Sequence, residues 1–296
     1  MTPNPISIES AAISDPILRE DFSDGRVVLT LNRPEKRNCF SLELLETLQE
    51  QLRSIHTDLA VSVVILRGLG SMFCSGLDLR EAAQGTAITD EQGNATPRAL
   101  VMVRLVLDVL KMIETMNQVV IVAAHGRACG GGAGLIAAAD FAIVDTGFKL
   151  TFPEVRRGLS PALLHPFLQR RYSHQVLRSP ILSGLPIEGE ALMSFVYRVV
   201  PTGTVFDTAM NLALTLTQGE HAAIVQAKRL LNESLIPTEE EVTRAIEEHW
   251  RSWNSPAGRE GIAAFLEKRE PVFSSKMKSI NNNRTPIPPH GGNEGE

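Results

Sequence analysis

The chain contains 296 residues, of which 43% are hydrophobic and 21% are charged, proportions typical of a globular protein with a substantial core. Its formal net charge of −5 argues against nucleic-acid binding, and no apolar run is long enough to span a membrane. The three cysteines, Cys39, Cys74 and Cys129, lack metal-ligand spacing and are too few for a disulfide framework. We therefore expect a cytoplasmic protein that holds no metal.

The first half of the chain alternates between strand-like and helix-like segments. Apolar, β-rich composition predicts strands at 26–32, 61–67, 119–124, 141–144 and 149–152. Apolar residues at helical spacing predict helices at 42–52, 98–116 and 133–139. This alternation favours an α/β core with right-handed crossovers. The polar stretch 81–97 shows no periodicity, and we predict a mobile loop there that lines the functional site.

Helical patterns dominate after Pro161. They occupy 163–171, 175–182, 188–193, 206–218, 221–233, 239–253 and 257–269, with one strand-like segment at 196–200. Four regions are predicted from this change in character. They are a flexible N-terminal lead without a targeting sequence at 1–22, an α/β core at 23–204, a C-terminal helical layer at 205–275 and a disordered tail at 276–296.

Three consecutive glycines, Gly130–Gly132, join the predicted strand 119–124 to the predicted buried helix 133–139. Such a run lets a ligand approach the main chain closely. At a helix start it also presents unpaired N–H groups together with the positive end of the helix dipole. This arrangement suits a negative oxygen, on a phosphate or on a reacting carbonyl. Taken alone, the run is equally consistent with a tightly packed strand-to-helix turn.

A second glycine turn precedes the first along the chain. Residues 72–79 join the second predicted strand to a short helix, and Gly76 lies at the turn. The N–H of Leu77 would be exposed there, as an N–H of the glycine run would be. If the two turns converge on one oxygen, they form an oxyanion hole. The sequence does not establish that convergence.

Several motifs follow one another in a distinctive order. They are Leu-Asn-Arg-Pro-Glu-Lys-Arg-Asn at 31–38, Phe-Cys-Ser-Gly-Leu-Asp-Leu at 73–79, Gly-Arg-Ala-Cys-Gly-Gly-Gly at 126–132, Asp140, Phe-Pro-Glu-Val-Arg-Arg-Gly-Leu at 152–159 and Glu-Gly-Ile-Ala-Ala-Phe-Leu-Glu-Lys-Arg at 260–269. Their order and spacing resemble the enoyl-CoA hydratase/isomerase (crotonase) superfamily over about residues 26–273. The resemblance implies a crotonase-like spiral of ββα units with C-terminal helices that trimerise.

The resemblance also implies a substrate and a set of site residues. The substrate is an acyl-CoA thioester whose carbonyl is held by the N–H groups of Leu77 and Gly131, and coenzyme A belongs to the substrate rather than being a separate cofactor. The implied assembly is a homotrimer or a hexamer, with no nucleic acid or membrane as partner. The implied contacts to the substrate come from Arg37, Asn38, Ser75, Gly76, Asp78, Gly130 and Lys268. Lys268 and the nearby Phe265 could be supplied by a neighbouring subunit.

Two carboxylates carry the reaction in the family's hydratases, and this sequence keeps one of them. Glu154, after Pro153, matches the second position, whereas the first falls on Gly134. Hydration needs proton handling at two carbons, which two carboxylates share well. A single carboxylate can still move one proton between the α- and γ-carbons. The pattern therefore favours double-bond isomerisation with Glu154 as the acid/base.

Other interpretations remain open. A hydratase with a substitute second acid is one, and a dehydratase of carrier-bound acyl chains in polyketide β-branching is another, since 130–134 and 160–168 are similar to such enzymes. A non-catalytic acyl-CoA-binding or RNA-binding member is a third. Asp78 also suits a helix cap. Asp140 and His125 are predicted to be structural, and Cys74 and Cys129 small core residues.

Overall fold

The computed structural model describes residues 15–90 and 92–273. The predicted tail at 276–296 lies outside these residues, as does most of the predicted N-terminal lead. The strands are β1 (Ile17–Asp21), β2 (Arg26–Leu31), β3 (Val63–Gly68), β4 (Ile88–Thr89), β5 (Ala95–Thr96), β6 (Val119–Ala124), β7 (Arg127–Cys129), β8 (Phe141–Asp145), β9 (Lys149–Thr151) and β10 (Arg198–Val200).

Ten α-helices and several short 3₁₀ turns accompany the strands in the described part of the chain. The helices are α1 (Leu42–Thr57), α2 (Leu79–Gln84), α3 (Arg98–Thr115), α4 (Gly131–Ala138), α5 (His165–Arg171), α6 (His174–Ser183), α7 (Val205–Thr217), α8 (His221–Asn232), α9 (Glu239–Trp253) and α10 (Pro256–Glu267). The 3₁₀ turns are Pro34–Lys36, Glu154–Arg157, Pro161–Leu163 and Gly189–Ser194. Among the described helices, none is both long and apolar enough to cross a bilayer.

The main sheet has six strands in the order β1-β2-β3-β6-β8-β10. Strand β1 runs antiparallel to β2, and the other neighbours are parallel. Strands β2 and β6 are buried along their whole length, as expected when helices cover both faces of a parallel sheet. One face packs against α1, α3 and α4, and the other packs against α7. The predicted α/β core is therefore confirmed.

Two segments differ from the sequence-based prediction. Residues 17–21, within the predicted flexible lead, form the edge strand β1, because Ile17 is buried and the main chain pairs with β2. Residues 81–97 do not form a structureless loop. Helix α2 extends into them to Gln84, and the β4–β5 hairpin follows. Main-chain pairing stabilises both segments. Their polar composition does not predict this pairing.

A buried lysine, Lys228, helps to fix helix α8 to the core. Lys228 Nζ donates to the carbonyl oxygens of Ile113 at 3.0 Å and Gln118 at 2.8 Å. It also pairs with Asp140 Oδ2 at 2.7 Å. The same carboxylate oxygen accepts a hydrogen bond from the N–H of Val120. Asp140 thus fixes both a strand and a helix in place, which supports its predicted structural role.

Substituting this lysine tests how strongly the network stabilises the fold. Removing one member of a buried ion pair typically costs about 3–5 kcal/mol, because the other charge is left without its partner. We expect Lys228→Met to lower the free energy of unfolding by about that amount in chemical denaturation. The control is Lys111→Met, since the partner of Lys111, Glu239, is exposed and such a pair contributes about 0–1 kcal/mol. Equal losses of unfolding free energy in the two variants would contradict the role of Lys228 in stabilising the fold.

The C-terminal helices fold back over their own chain. Helix α9 packs against α3, α5 and the turn Pro161–Leu163, while α10 packs against α2 and the turn Glu154–Arg157. Helix α10 lies very close to the turn Glu154–Arg157 at Gly261, because a methyl group on Gly261 would lie 1.9 Å from the carbonyl oxygen of Arg157. These contacts place α9 and α10 beside the two glycine turns.

Candidate active site

A cleft of about 950 Å³ opens between the glycine turns and the C-terminal helices. Its exposed rim carries many charged side chains, among them Lys36, Arg37, Arg80, Arg127 and Lys268. Its deeper wall is largely apolar and includes Val106, Leu159, Leu163, Leu164, Trp253 and Leu266. A cleft with a cationic rim and an apolar interior suits a ligand with an anionic end and a hydrocarbon end.

The two predicted glycine turns meet at the floor of this cleft. Cys74 bridges to Ala128, and the N–H of Cys129 donates to the carbonyl of Cys74 at 3.0 Å. Gly76 has φ +84°, and a methyl group there would lie 3.3 Å from the nitrogen of Gly131. The Gly131 nitrogen therefore lies close to Gly76. Within the described residues, neither the Leu77 N–H nor the Gly131 N–H donates a hydrogen bond to the protein.

The start of α4 depends on glycine for two separate reasons. Gly130 adopts φ 50° and ψ −121°, a combination that residues with a side chain avoid. Gly131 is close to the ring of Phe40, since a methyl group at Gly131 would lie 2.9 Å from Phe40 Cε2. Gly131 is also the first residue of the helix. Its N–H therefore has no partner within the helix and lies at the positive end of the helix dipole.

Glu154 lies beside the glycine run, at the start of a 3₁₀ turn. A methyl group at Gly130 would be 3.3 Å from Glu154 Oε1. The residue is partly exposed, but its Oε2 atom is buried and has no hydrogen-bond partner. Burial raises the pKa of this carboxyl to about 7, although a main-chain N–H and the nearby Arg157 favour the charged form. A carboxyl that titrates near neutral pH can both accept and donate a proton.

Arg157 lies on the same turn, which packs against α10. Burial lowers the pKa of its guanidinium, which is placed over the ring of Phe265 with 4.9 Å to the ring centroid. Phe265 and Lys268 line the cleft of their own chain. The guanidinium supplies positive charge near the carboxyl without covering Oε2.

Gly134, the position at which the resemblance implies a second carboxylate in hydratases, lies inside the packed core. A methyl group there would lie 2.9 Å from Leu164 Cδ2 and 3.0 Å from Leu110 Cδ1. Leucine side chains therefore occupy the space into which a longer residue would extend. Leu164 lines the cleft, whereas Gly134 does not. Helix α4 thus contributes main chain to the cleft but no carboxylate.

Six of the seven predicted substrate-contact residues line the cleft. They are Arg37, Ser75, Gly76, Asp78, Gly130 and Lys268. Asn38 does not line it, and its side chain is fully engaged within the protein. Its Nδ2 donates to the carbonyl oxygens of Leu69, Met72 and Phe73, and its Oδ1 accepts from the N–H of Arg33. Asn38 is fully buried and holds the preceding turn in shape.

Other expectations from the sequence have clear outcomes. Asp78 caps α2 by accepting from the N–H of Glu81 and lies 3.7 Å from Arg33. A ring nitrogen of His125 forms a hydrogen bond with the carbonyl of Gly70 at 2.8 Å, in agreement with its predicted structural role.

The segment 81–97 contributes no described residue to the cleft wall, so its predicted role in lining the site is wrong. The neighbouring Leu79 and Arg80 line the cleft instead.

Sequence reasoning missed His249 and Trp253, which line the cleft from α9. Both are buried, and their rings lie 5.9 Å apart. In the sequence, His249 is marked only as a histidine on the apolar face of a predicted helix, beside Ala245 and Ile246. Such a histidine is usually a core residue. Only the folding of α9 over the cleft distinguishes this one.

Comparisons with known proteins agree with the geometry. The sequence profile described as enoyl-CoA hydratase/isomerase matches residues 21–276. A mevalonyl-coenzyme A hydratase of Aspergillus fumigatus is 30% identical over 260 residues, covering 83% of this chain and 90% of that protein. A 1,2-epoxyphenylacetyl-CoA isomerase of Escherichia coli is 28% identical over 260 residues, covering 85% and 96%. The solved carnitinyl-CoA hydratase of Mycobacterium avium is 25% identical with a TM-score of 0.74, covering 88% of this chain and 99% of that one.

Proposed function

The chain belongs to the enoyl-CoA hydratase/isomerase family, and from this premise we propose that it isomerises the double bond of an enoyl-CoA thioester. The observation that carries the proposal is the single carboxyl beside the glycine turns. Glu154 lies next to Gly130, whereas the space around Gly134 is filled by leucines. One carboxyl with a pKa near neutrality suffices for a reaction that moves one proton within the substrate.

In the proposed reaction, the thioester carbonyl oxygen accepts hydrogen bonds from the N–H groups of Leu77 and Gly131. These donors stabilise the negative charge that develops on that oxygen. The ionised carboxylate of Glu154 takes a proton from the α-carbon of a 3-enoyl thioester, giving a conjugated enolate. Glu154 then returns the proton to the γ-carbon, which leaves a 2-enoyl thioester and restores the carboxylate. The step balances without an oxidant, a metal or a further cofactor.

We place the nucleotide end of coenzyme A at the charged rim. Arg37, Arg80 and Lys268 are exposed there, and such cations attract phosphate groups. The acyl chain would extend into the apolar interior, past Val106 and Leu164. Coenzyme A is thus part of the substrate in this proposal.

Two thioesters distinguish the proposed activity from hydration. Purified protein is mixed with crotonyl-CoA or with a 3-enoyl-CoA, and the absorbance of the conjugated thioester is followed. We expect the 3-enoyl-CoA to gain conjugation much faster than crotonyl-CoA loses it. Fast hydration of crotonyl-CoA would overturn the isomerase preference.

The pH dependence provides a further test of Glu154. Burial raises the pKa of this carboxyl to about 7, and only its ionised form can remove the α-proton. We therefore expect kcat/KM for the 3-enoyl-CoA to rise with pH and to level off above an apparent pKa near 7. A rate that stays flat between pH 5 and about pH 8 would contradict Glu154 as the base.

Hydration or dehydration is the second candidate function. The observation that favours it is His249, the one imidazole among the described residues that line the cleft. An imidazole can handle a proton at the β-oxygen where α4 offers no carboxylate. The crotonyl-CoA measurement with His249→Leu decides this case. If hydration is observed and disappears in the variant, the imidazole replaces the second carboxylate.

A further inference from the structure

Arg157 is the one cation of the cleft that is both partly buried and unpaired among the described residues. The other cationic side chains that line the cleft are exposed, except Lys149, which pairs with Glu188 at 2.8 Å. Within the described part of the chain, the guanidinium of Arg157 makes no hydrogen bond and no ion pair, not even with Glu154. A cation taken partly out of water is costly without an anion beside it. The cleft therefore offers this guanidinium to an anionic group of a ligand.

The guanidinium nitrogens are accessible from the cleft. Arg157 lines it, and none of its nitrogens is among the buried polar atoms that lack a partner. Since these nitrogens have no partner among the described residues, they are not buried. The planar group lies over the ring of Phe265, 4.9 Å from the ring centroid. Such stacking covers one face of the plane and leaves the N–H donors at its edge free.

Arg157 faces the same part of the cleft as Glu154. The two residues are the first and last of one 3₁₀ turn, Glu154–Arg157, and side chains three residues apart on such a turn eclipse one another. The charge of each also affects the pKa of the other. In the proposed reaction, Glu154 lies at the α- and γ-carbons of the acyl chain. A group that pairs with Arg157 therefore belongs to that chain, and not to the nucleotide at the rim.

A carboxylate matches the guanidinium better than the other groups that an acyl chain commonly carries. The guanidinium keeps its charge, and it has five N–H donors and no acceptor. Two of its N–H groups can donate in parallel to the two oxygens of a carboxylate. A hydroxyl or an amide could accept a hydrogen bond, but it would leave the positive charge without a counter-charge.

We propose that Arg157 selects acyl-CoA thioesters whose acyl chain carries a free carboxylate, by pairing with that carboxylate beside Glu154. The inference rests on the proposed function in one respect, namely that an acyl-CoA thioester occupies the cleft with its reacting carbons at Glu154. It goes beyond that function because it names the charged group that the acyl chain carries. Arg157 is a specificity-determining residue in this account, whichever reaction Glu154 performs.

Binding of unreactive CoA thioethers tests the inference without turnover. Each probe ends in a carboxylate at the fourth, fifth or sixth carbon of the chain. It is matched by a carboxamide of the same length, which has nearly the same shape and no charge. Calorimetry gives dissociation constants for the wild type, Arg157→Gln, Arg157→Lys and the control Arg156→Gln. Arg156 belongs to the same turn but is exposed and does not line the cleft.

We expect one carboxylate probe to bind the wild type about 10- to 100-fold more tightly than its carboxamide, as a charge-assisted hydrogen bond provides. Arg157→Gln should abolish this preference, Arg157→Lys should keep part of it, and Arg156→Gln should keep all of it. Equal binding of every carboxylate and its carboxamide by the wild type, a comparison that needs no variant to fold, would overturn the inference and leave the proposed function intact. A preference that survives Arg157→Gln would also overturn it.

Two further outcomes separate the acyl chain from the rest of the substrate. If Arg157→Gln weakens the carboxylate and carboxamide probes by the same factor, the guanidinium serves coenzyme A and the inference is overturned. If no CoA thioether of either kind binds the wild type, the proposed function itself is wrong, and the inference that rests on it is wrong as well.

Discussion

Replacing Glu154 by glutamine is expected to lower kcat for the 3-enoyl-CoA by about 10²- to 10⁴-fold, the usual contribution of a positioned acid/base. The introduced amide cannot accept the α-proton, while the size of the side chain and its place beside Gly130 are retained. Since the oxyanion donors are main-chain N–H groups, substrate binding should be nearly unchanged. Stopped-flow absorbance of the conjugated thioester measures kcat, and calorimetry with an unreactive CoA thioether measures binding.

The stability of this variant provides an independent test of the raised pKa of Glu154. The pKa of Glu154 is about 7 in the folded protein against an ordinary value of 4.5, so the folded state binds more protons between these pH values. The carboxyl therefore lowers the free energy of unfolding as the pH rises from about 4.5 to about 7. Glu154→Gln should accordingly raise the melting temperature relative to wild type at pH 8, and much less at pH 5.

Glu35→Gln is the matched control for Glu154→Gln. It makes the same chemical change at an exposed carboxylate on the rim of the same cleft. We expect its kcat and its melting temperature to stay close to those of the wild type at both pH values. Full activity of Glu154→Gln, or an equal loss in the two variants, would show that Glu154 is not the acid/base.

The main chain of the site was largely predictable, because glycine leaves a strong local signal. Gly76 and Gly130 have φ values of +84° and +50°, which other residues rarely adopt, so their positions in the sequence already mark turns. Glu154 was predictable from its place after Pro153 in a motif of fixed spacing. The convergence of the two turns was not predictable, since the bridge between Cys74 and Ala128 joins residues far apart in sequence.

The roles of two side chains depend on tertiary contacts that the sequence does not reveal. Asn38 lies in a motif predicted to contact the substrate, and its amide donates to three carbonyl groups of the turn at 69–73. His249 has the pattern of a core histidine, yet α9 folds over the cleft and brings the ring to its wall. In both cases the neighbours that decide the role of the side chain lie far away along the chain, so periodicity and spacing carry no information about them.

Substituting Gly76 by alanine is expected to reduce kcat/KM by about 10²- to 10³-fold, the cost of losing one oxyanion donor. The new methyl group would lie 2.6 Å from the carbonyl oxygen of Cys129 and 3.3 Å from the nitrogen of Gly131. Both are main-chain atoms, which cannot move aside as the end of a flexible side chain can. The two turns must therefore separate, and we expect the N–H groups of Leu77 and Gly131 to lose the shared thioester oxygen of the proposed reaction.

Gly203→Ala is the control that separates the steric clash at Gly76 from the strain of a positive φ angle. Gly203 has φ +88°, but a methyl group there meets nothing within 4 Å. Both alanine variants should lose about 1–2 kcal/mol of stability from the left-handed backbone conformation, whereas only Gly76→Ala should lose activity on the 3-enoyl-CoA. Because the strain is matched, the difference in kcat/KM measures the clash at the junction of the turns. Equal activities would mean that an oxygen is not held where these turns meet.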